Sequence, residues 1–76
     1  MKDRLNTSRR KALKQLGERV REFRRRRGLT QQRLAASLGL SVAYISLIER
    51  GGRNPPFTTV LAIARVLKTP LREFCD

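Results

Sequence analysis

Four consecutive guanidinium groups, Arg24 to Arg27, follow a first segment that carries Lys2, Arg4, Arg9, Arg10, Lys11 and Lys14. Cations at this density, opposed by few acids, suit the capture of a polyanion. Over 76 residues, 18 Lys and Arg oppose six acids, a formal net charge of +12. A charge run by itself is often no more than a solvated helix face, but an imbalance of this size asks for a partner. The equipment for covalent chemistry is missing. The chain has no His, the commonest general base and metal ligand. Cys75 is the only cysteine and makes neither an internal disulfide nor a metal site. Asp3, Glu18, Glu22, Glu49, Glu73 and Asp76 form no convincing catalytic pair. The expectation is a binding protein, not an enzyme, with no metal and no cofactor.

The elements that must position these cations read as helices throughout. Leu13, Leu16, Val20 and Phe23 recur at spacings of three and four, one apolar stripe of a first helix that ends near Arg27 with Gly28 as its cap. Thr7 or Ser8 could open it, but Arg9, Arg10 and Lys11 would then sit at the positive end of the helix dipole. Residues 1–10 are therefore either a basic arm or an extension of the first helix, and residues 11–76 are the folded domain. Thr30 caps a second helix with Leu34, Ala35 and Leu38 inward, and Gly39 stops it. Ser41 caps a third, with Ile45 and Ile48 inward, and Gly51 and Gly52 end it. Arg53, Asn54, Pro55 and Pro56 make a loop. A fourth helix follows from about Thr58 to Leu67, and Thr69 caps a last short helix opened by Pro70.

The stretch GLTQQRLAASLGLSVAYISLIERGGRNPP, Gly28 to Pro56, has the residues that two steeply crossing helices need. Ala35 is small where the helices meet, Ile45 and Ile48 press from the other side, and Gly39 can take positive φ in the turn. Gln31, Ala35, Gly39, Ile45 and Ile48 are a packing requirement, which an ordinary four-helix bundle would not impose together with polar caps on both helices. This is a helix-turn-helix, and its second helix is the expected sequence reader.

From Val20 to Leu67 the chain resembles the phage-repressor-like (XRE, Cro/repressor) helix-turn-helix family, through RVREFRRRRGLTQQRLA, then SVAYISLIERGGRNPP, then LAIARVL. The resemblance implies an all-α, lambda-repressor-like bundle of five short helices, double-stranded DNA as partner, and a homodimer. It places Val42, Ala43, Ser46, Leu47 and Arg50 where bases are read. It places Gln31, Gln32, Tyr44, Arg53 and Asn54 where phosphates are held, the helix N-terminus beside Gln31 adding its positive end. It pairs Glu49, an acid amid strong positive charge, with Arg24 of the first helix. Val42, Ala43 and Leu47 cannot make the bidentate hydrogen bonds that identify guanine or adenine, so reading leans on thymine methyls, Ser46, Arg50 and DNA shape.

The function expected is a sequence-specific DNA-binding transcriptional regulator, a repressor, with the third helix in the major groove. An antitoxin or restriction-modification controller binding its own operator is a near alternative, and a non-specific nucleic-acid packaging protein is one of another class. Leu71 and Phe74 of the C-terminal helices are the expected homodimer contact, with Leu61 and Val66 beside them. The basic N-terminus has no apolar stretch behind it, as a secretory signal would, and no apolar run approaches the ~18 residues of a membrane span. A cytoplasmic location, no membrane contact and no small-molecule ligand follow as expectations.

Overall fold

The computed structural model describes residues 2–75. Met1, Asp76 and the side chains of residues 2–5 lie outside that description, so the charges of Asp3, Lys2 and Arg4 are not placed. Helix α1 spans Lys2–Arg26, α2 Gln31–Leu38, α3 Val42–Glu49 and α4 Phe57–Val66. A single 3-10 turn, Leu71–Glu73, follows. Among the described residues there is no strand.

The caps explain the boundaries of the central pair. Thr30 has extended backbone, and its hydroxyl accepts the N–H of Arg33 at 3.0 Å. Ser41 does the same for Tyr44 at 3.1 Å. Each satisfies one of the donors that a helix start leaves without an intrahelical partner. Gly39 stops α2 with φ 68°, a left-handed conformation that costs other residues about 1–2 kcal/mol. The N–H of Leu40 then reaches back to the Ala35 carbonyl at 2.9 Å, closing the turn toward Ser41.

The core lies where α1, α2, α3 and α4 converge. Val20 of α1, Leu34 of α2, Ile45 and Ile48 of α3, Ile63 of α4 and Leu67 just past its end are fully buried, with Ala35, Val60, Ala64 and Phe74 around them. Gly17 sets the approach of α1 to α3. A Cβ there would lie 2.6 Å from the Glu49 carbonyl oxygen and closer still to that of Ile48. The backbone of α1 thus rests directly on the C-terminal carbonyls of α3.

Two expectations are corrected. The fifth helix is one 3-10 turn, not an α-helix. After α4, Lys68 takes φ 51°. Thr69 does not cap; its hydroxyl donates to the Leu67 carbonyl at 2.9 Å. Only Leu71 to Glu73 then separate Pro70 from Phe74, whose ring is drawn inside against Phe23 at 5.5 Å, edge to face. The second correction concerns Phe74 as a subunit contact. It is 5% exposed and closes the monomer's own core, while Leu71 stays half-buried.

Candidate nucleic-acid interface

The site grows from Glu49, the last residue of α3. Its side chain is 2% exposed, and that of Arg24 is 9% exposed. Arg24 Nε donates to Glu49 Oε2 at 2.6 Å and Nη2 to Oε1 at 3.1 Å, a two-pronged pair. Arg24 Nη1 donates to the Leu29 carbonyl at 2.7 Å. Gln31, the first residue of α2, donates its amide Nε2 to Glu49 Oε1 at 3.0 Å. One carboxylate therefore ties α1, α2 and α3 together. Among the described residues no buried side-chain nitrogen or oxygen lacks a partner. Both oxygens of this acid are spent on protein donors, so it does not face the surface as a free anion.

Over this floor lies an open cleft between α1, the start of α2 and the end of α3. Arg21, Arg24, Arg25, Gln31, Ser46, Glu49 and Arg50 line it. Gln31, Ser46 and Arg50, assigned to this surface on sequence grounds, are thus brought together beside the Arg24–Glu49 pair. Arg50 is exposed and turns its Nε back to the Ser46 carbonyl at 3.4 Å. Sequence reasoning missed Arg21 and Arg25. They stand one turn apart on α1 and flank Arg24, a spacing that would have placed them on one face.

The other candidates are spread along α3 and beyond. Val42 and Ala43 are exposed at the start of α3, and Leu47 is half-buried beside Gly52, whose N–H reaches the Leu47 carbonyl at 2.8 Å. Tyr44 packs partly against the core. Gln32 and Arg53 are exposed. Asn54 borders a different concavity, about 810 Å³, on the opposite flank of α1, together with Pro55, Phe57 and Phe74. Glu18, Glu22 and Glu73 line that same groove. Three acids against Arg19 make that groove a poor match for a polyanion.

A third missed residue supports the fold from behind. Arg27 donates Nε to the Leu67 carbonyl at 2.6 Å and Nη2 to the Lys68 carbonyl at 2.7 Å. It thereby caps the C-terminus of α4 from 40 residues away in sequence. The signal was the arginine run itself, which contains a buried ion-pair partner in Arg24, a partner of Glu22 in Arg26, a helix clamp in Arg27 and, in Arg25, a side chain with no ion pair among the described residues.

Known proteins resemble this chain in sequence and fold. The helix-turn-helix family model matches residues 20–74. An uncharacterized HTH-type transcriptional regulator of Bacillus subtilis, YazB, is 43% identical over 57 residues, covering 75% of this chain and 83% of that protein. The control protein C.SmaI of Serratia marcescens is 39% identical over 54 residues, 71% of this chain and 64% of its own. The crystal structure of the restriction-modification controller protein C.AhdI from Aeromonas hydrophila superposes with a TM-score of 0.77 at 39% identity, covering 82% of this chain and 94% of that one. With its capped helix pair, buried Arg24–Glu49 tie and basic cleft, this chain belongs to the helix-turn-helix family of DNA-binding transcriptional regulators.

Proposed function

We propose that this regulator is a repressor that binds a double-stranded operator as a homodimer, with α3 lying in the major groove. The observation that carries this reading is the division of α3 into two faces. Ile45, Ile48 and Glu49 are buried and fix the helix to α1 and α2, while Val42 and Ala43 project outward and Ser46 and Leu47 are half-exposed. A helix fixed in this way by packing and a charge tie is preorganised to present one face to a groove. Apolar side chains dominate that face, so thymine methyls and DNA shape carry much of the discrimination. Of the expected contact Leu71 and Phe74, half-buried Leu71 serves the subunit contact together with half-buried Leu61 and Val66, while Phe74 sets the turn from inside. A dimer then spans two half-sites about one DNA turn, roughly 34 Å, apart. The protein acts in the cytoplasm without cofactor or catalysis.

Selection from random duplex DNA tests this. A palindromic consensus rich in thymine under the helix centre is the expected result. Enrichment of no sequence, with equal affinity for all duplexes, would identify a packaging protein instead.

One observation favours a narrower second reading. The likeness to the controller C.AhdI runs through 94% of that protein at 39% identity. A restriction-modification controller acting on its own operator fits that likeness. Binding to the DNA upstream of its own gene, with methyltransferase and endonuclease genes beside it, distinguishes this role.

A further inference from the structure

We infer that Arg21 and Arg25 of α1, with Arg50 of α3, form a seat for a DNA backbone phosphate beside the reading helix, and that Arg50 holds phosphate rather than a base. The inference rests on the operator-binding reading above and adds residues to it.

Three features of the cleft lead here. Arg21 and Arg25 line it and are exposed, yet neither side chain makes a hydrogen bond or an ion pair to any described protein group. The neighbouring acid that could have engaged them, Glu22, is taken by Arg26 at 2.7 Å and approached by Arg19 at 4.0 Å. Glu18 lies along the same stretch of α1 but comes within ion-pair distance of neither arginine. The acid inside the cleft, Glu49, has both oxygens committed to Arg24 and Gln31. Three guanidinium groups therefore converge on a hollow whose one carboxylate is already neutralised.

An arginine left without a protein acceptor beside two others is repelled by them, and an anion relieves that repulsion. The planar fork of each guanidinium matches two phosphate oxygens. Gln31 adds a donor, because its amide is oriented by Glu49 with nitrogen toward the carboxylate, leaving one of its two N–H bonds free. Ser46 also lines the cleft. Arg50 bends back along α3 to the Ser46 carbonyl instead of extending away from the helix, which keeps its head over this cleft. A phosphodiester is the chemistry that fits, and on a duplex it sits on the strand bordering the groove that α3 enters.

Such contacts position the protein and carry no sequence information. Arg21→Gln with Arg25→Gln, and separately Arg50→Gln, are measured on a selected operator and on an unrelated duplex over a range of salt. Each arginine lost should lower the slope of log affinity against log salt by about 1. Affinity should fall by the same factor on both duplexes, leaving the specificity ratio intact. Arg21→Lys with Arg25→Lys should keep the slope, since the count of released counterions follows charge. The melting temperature of the Arg21→Gln, Arg25→Gln variant should not fall, because no protein bond is removed and cation repulsion is relieved, whereas Arg50→Gln also loses its contact to the Ser46 carbonyl. If the wild type binds and the double Gln variant keeps its slope, the seat is wrong and the operator reading stands. If Arg50→Gln relaxes preference at one base position with an unchanged slope, Arg50 reads a base and its place in the seat fails. If the wild type binds no duplex, the operator reading fails, and the seat falls with it.

Discussion

Glu49 places a carboxylate beneath the proposed phosphate-binding surface, and its repulsion is cancelled because Arg24 and Gln31 occupy both oxygens. Removing one partner of such a pair leaves the other buried and uncompensated, which costs about 3–5 kcal/mol. Glu49→Ala should therefore lower the denaturation midpoint in urea steeply and also release Gln31. A midpoint equal to wild type would show that Arg24 finds another acceptor. The pair could not have been deduced from spacing, since its members are 25 residues apart; it entered only through the family resemblance. Gly17 was not legible at all. In sequence it is simply a glycine inside a helix, where Gly→Ala ordinarily gains about 1 kcal/mol. In the fold its missing Cβ lets α1 rest on the α3 carbonyls, at distances no methyl tolerates. Gly17→Ala should reverse the usual sign, because overpacking costs about 1–3 kcal/mol and the neighbours here are backbone. A raised melting temperature would mean that α1 slides away freely.

Local chemistry decided which elements could be read in advance. The caps Thr30, Ser41 and Gly39 act within a few residues of themselves, and so the bounds of α2 and α3 follow from sequence. Thr30→Ala should cost about 1 kcal/mol, seen as faster amide exchange in the first turn of α2. The start of α1 was ambiguous because Arg9, Arg10 and Lys11 looked badly placed for a helix opening near Thr7. Dipole repulsion fades within the first turn, and in a helix that begins at Lys2 these residues lie beyond it. The end of the chain was misread for the opposite reason. Its geometry comes from distant partners, Arg27 on the α4 carbonyls and Phe23 on Phe74, which no local pattern reveals. Arg27→Ala should loosen this end selectively. Two hydrogen bonds from a charged donor contribute about 1.5–3 kcal/mol each when fully formed, less where the head is exposed, as with Nη2 to Lys68. Exchange protection should fall at Leu67 to Phe74 before it falls in α2 and α3; uniform loss would show that Arg27 serves the whole core instead.

At the scale of the molecule, positive charge is in large excess. Glu18 and Glu22 interleave with Arg21 and Arg25 at spacings of three and four along one face of α1, and the cleft beside α3 adds Arg50 to those two arginines. The net excess steers the protein toward a polyanion before any contact forms. It also leaves +12 on a body with a radius of gyration of only 12.2 Å, so the free protein repels itself. Salt should then act with opposite signs on its two equilibria. Raising ionic strength from about 0.1 M to about 1 M shortens the screening length from ~10 Å to ~3 Å. That weakens repulsion among exposed arginines while leaving the buried Arg24–Glu49 contact, at 2.6 Å, almost untouched. The melting temperature of the free protein should rise over this range while its DNA affinity falls. The pairing of the two trends matters, because loss of binding at high salt then cannot be attributed to unfolding. A melting temperature that falls with salt would mean that exposed ion pairs such as Arg26–Glu22 outweigh the net repulsion. Such a result would remove the argument that this surface charge is held against stability for the sake of a partner.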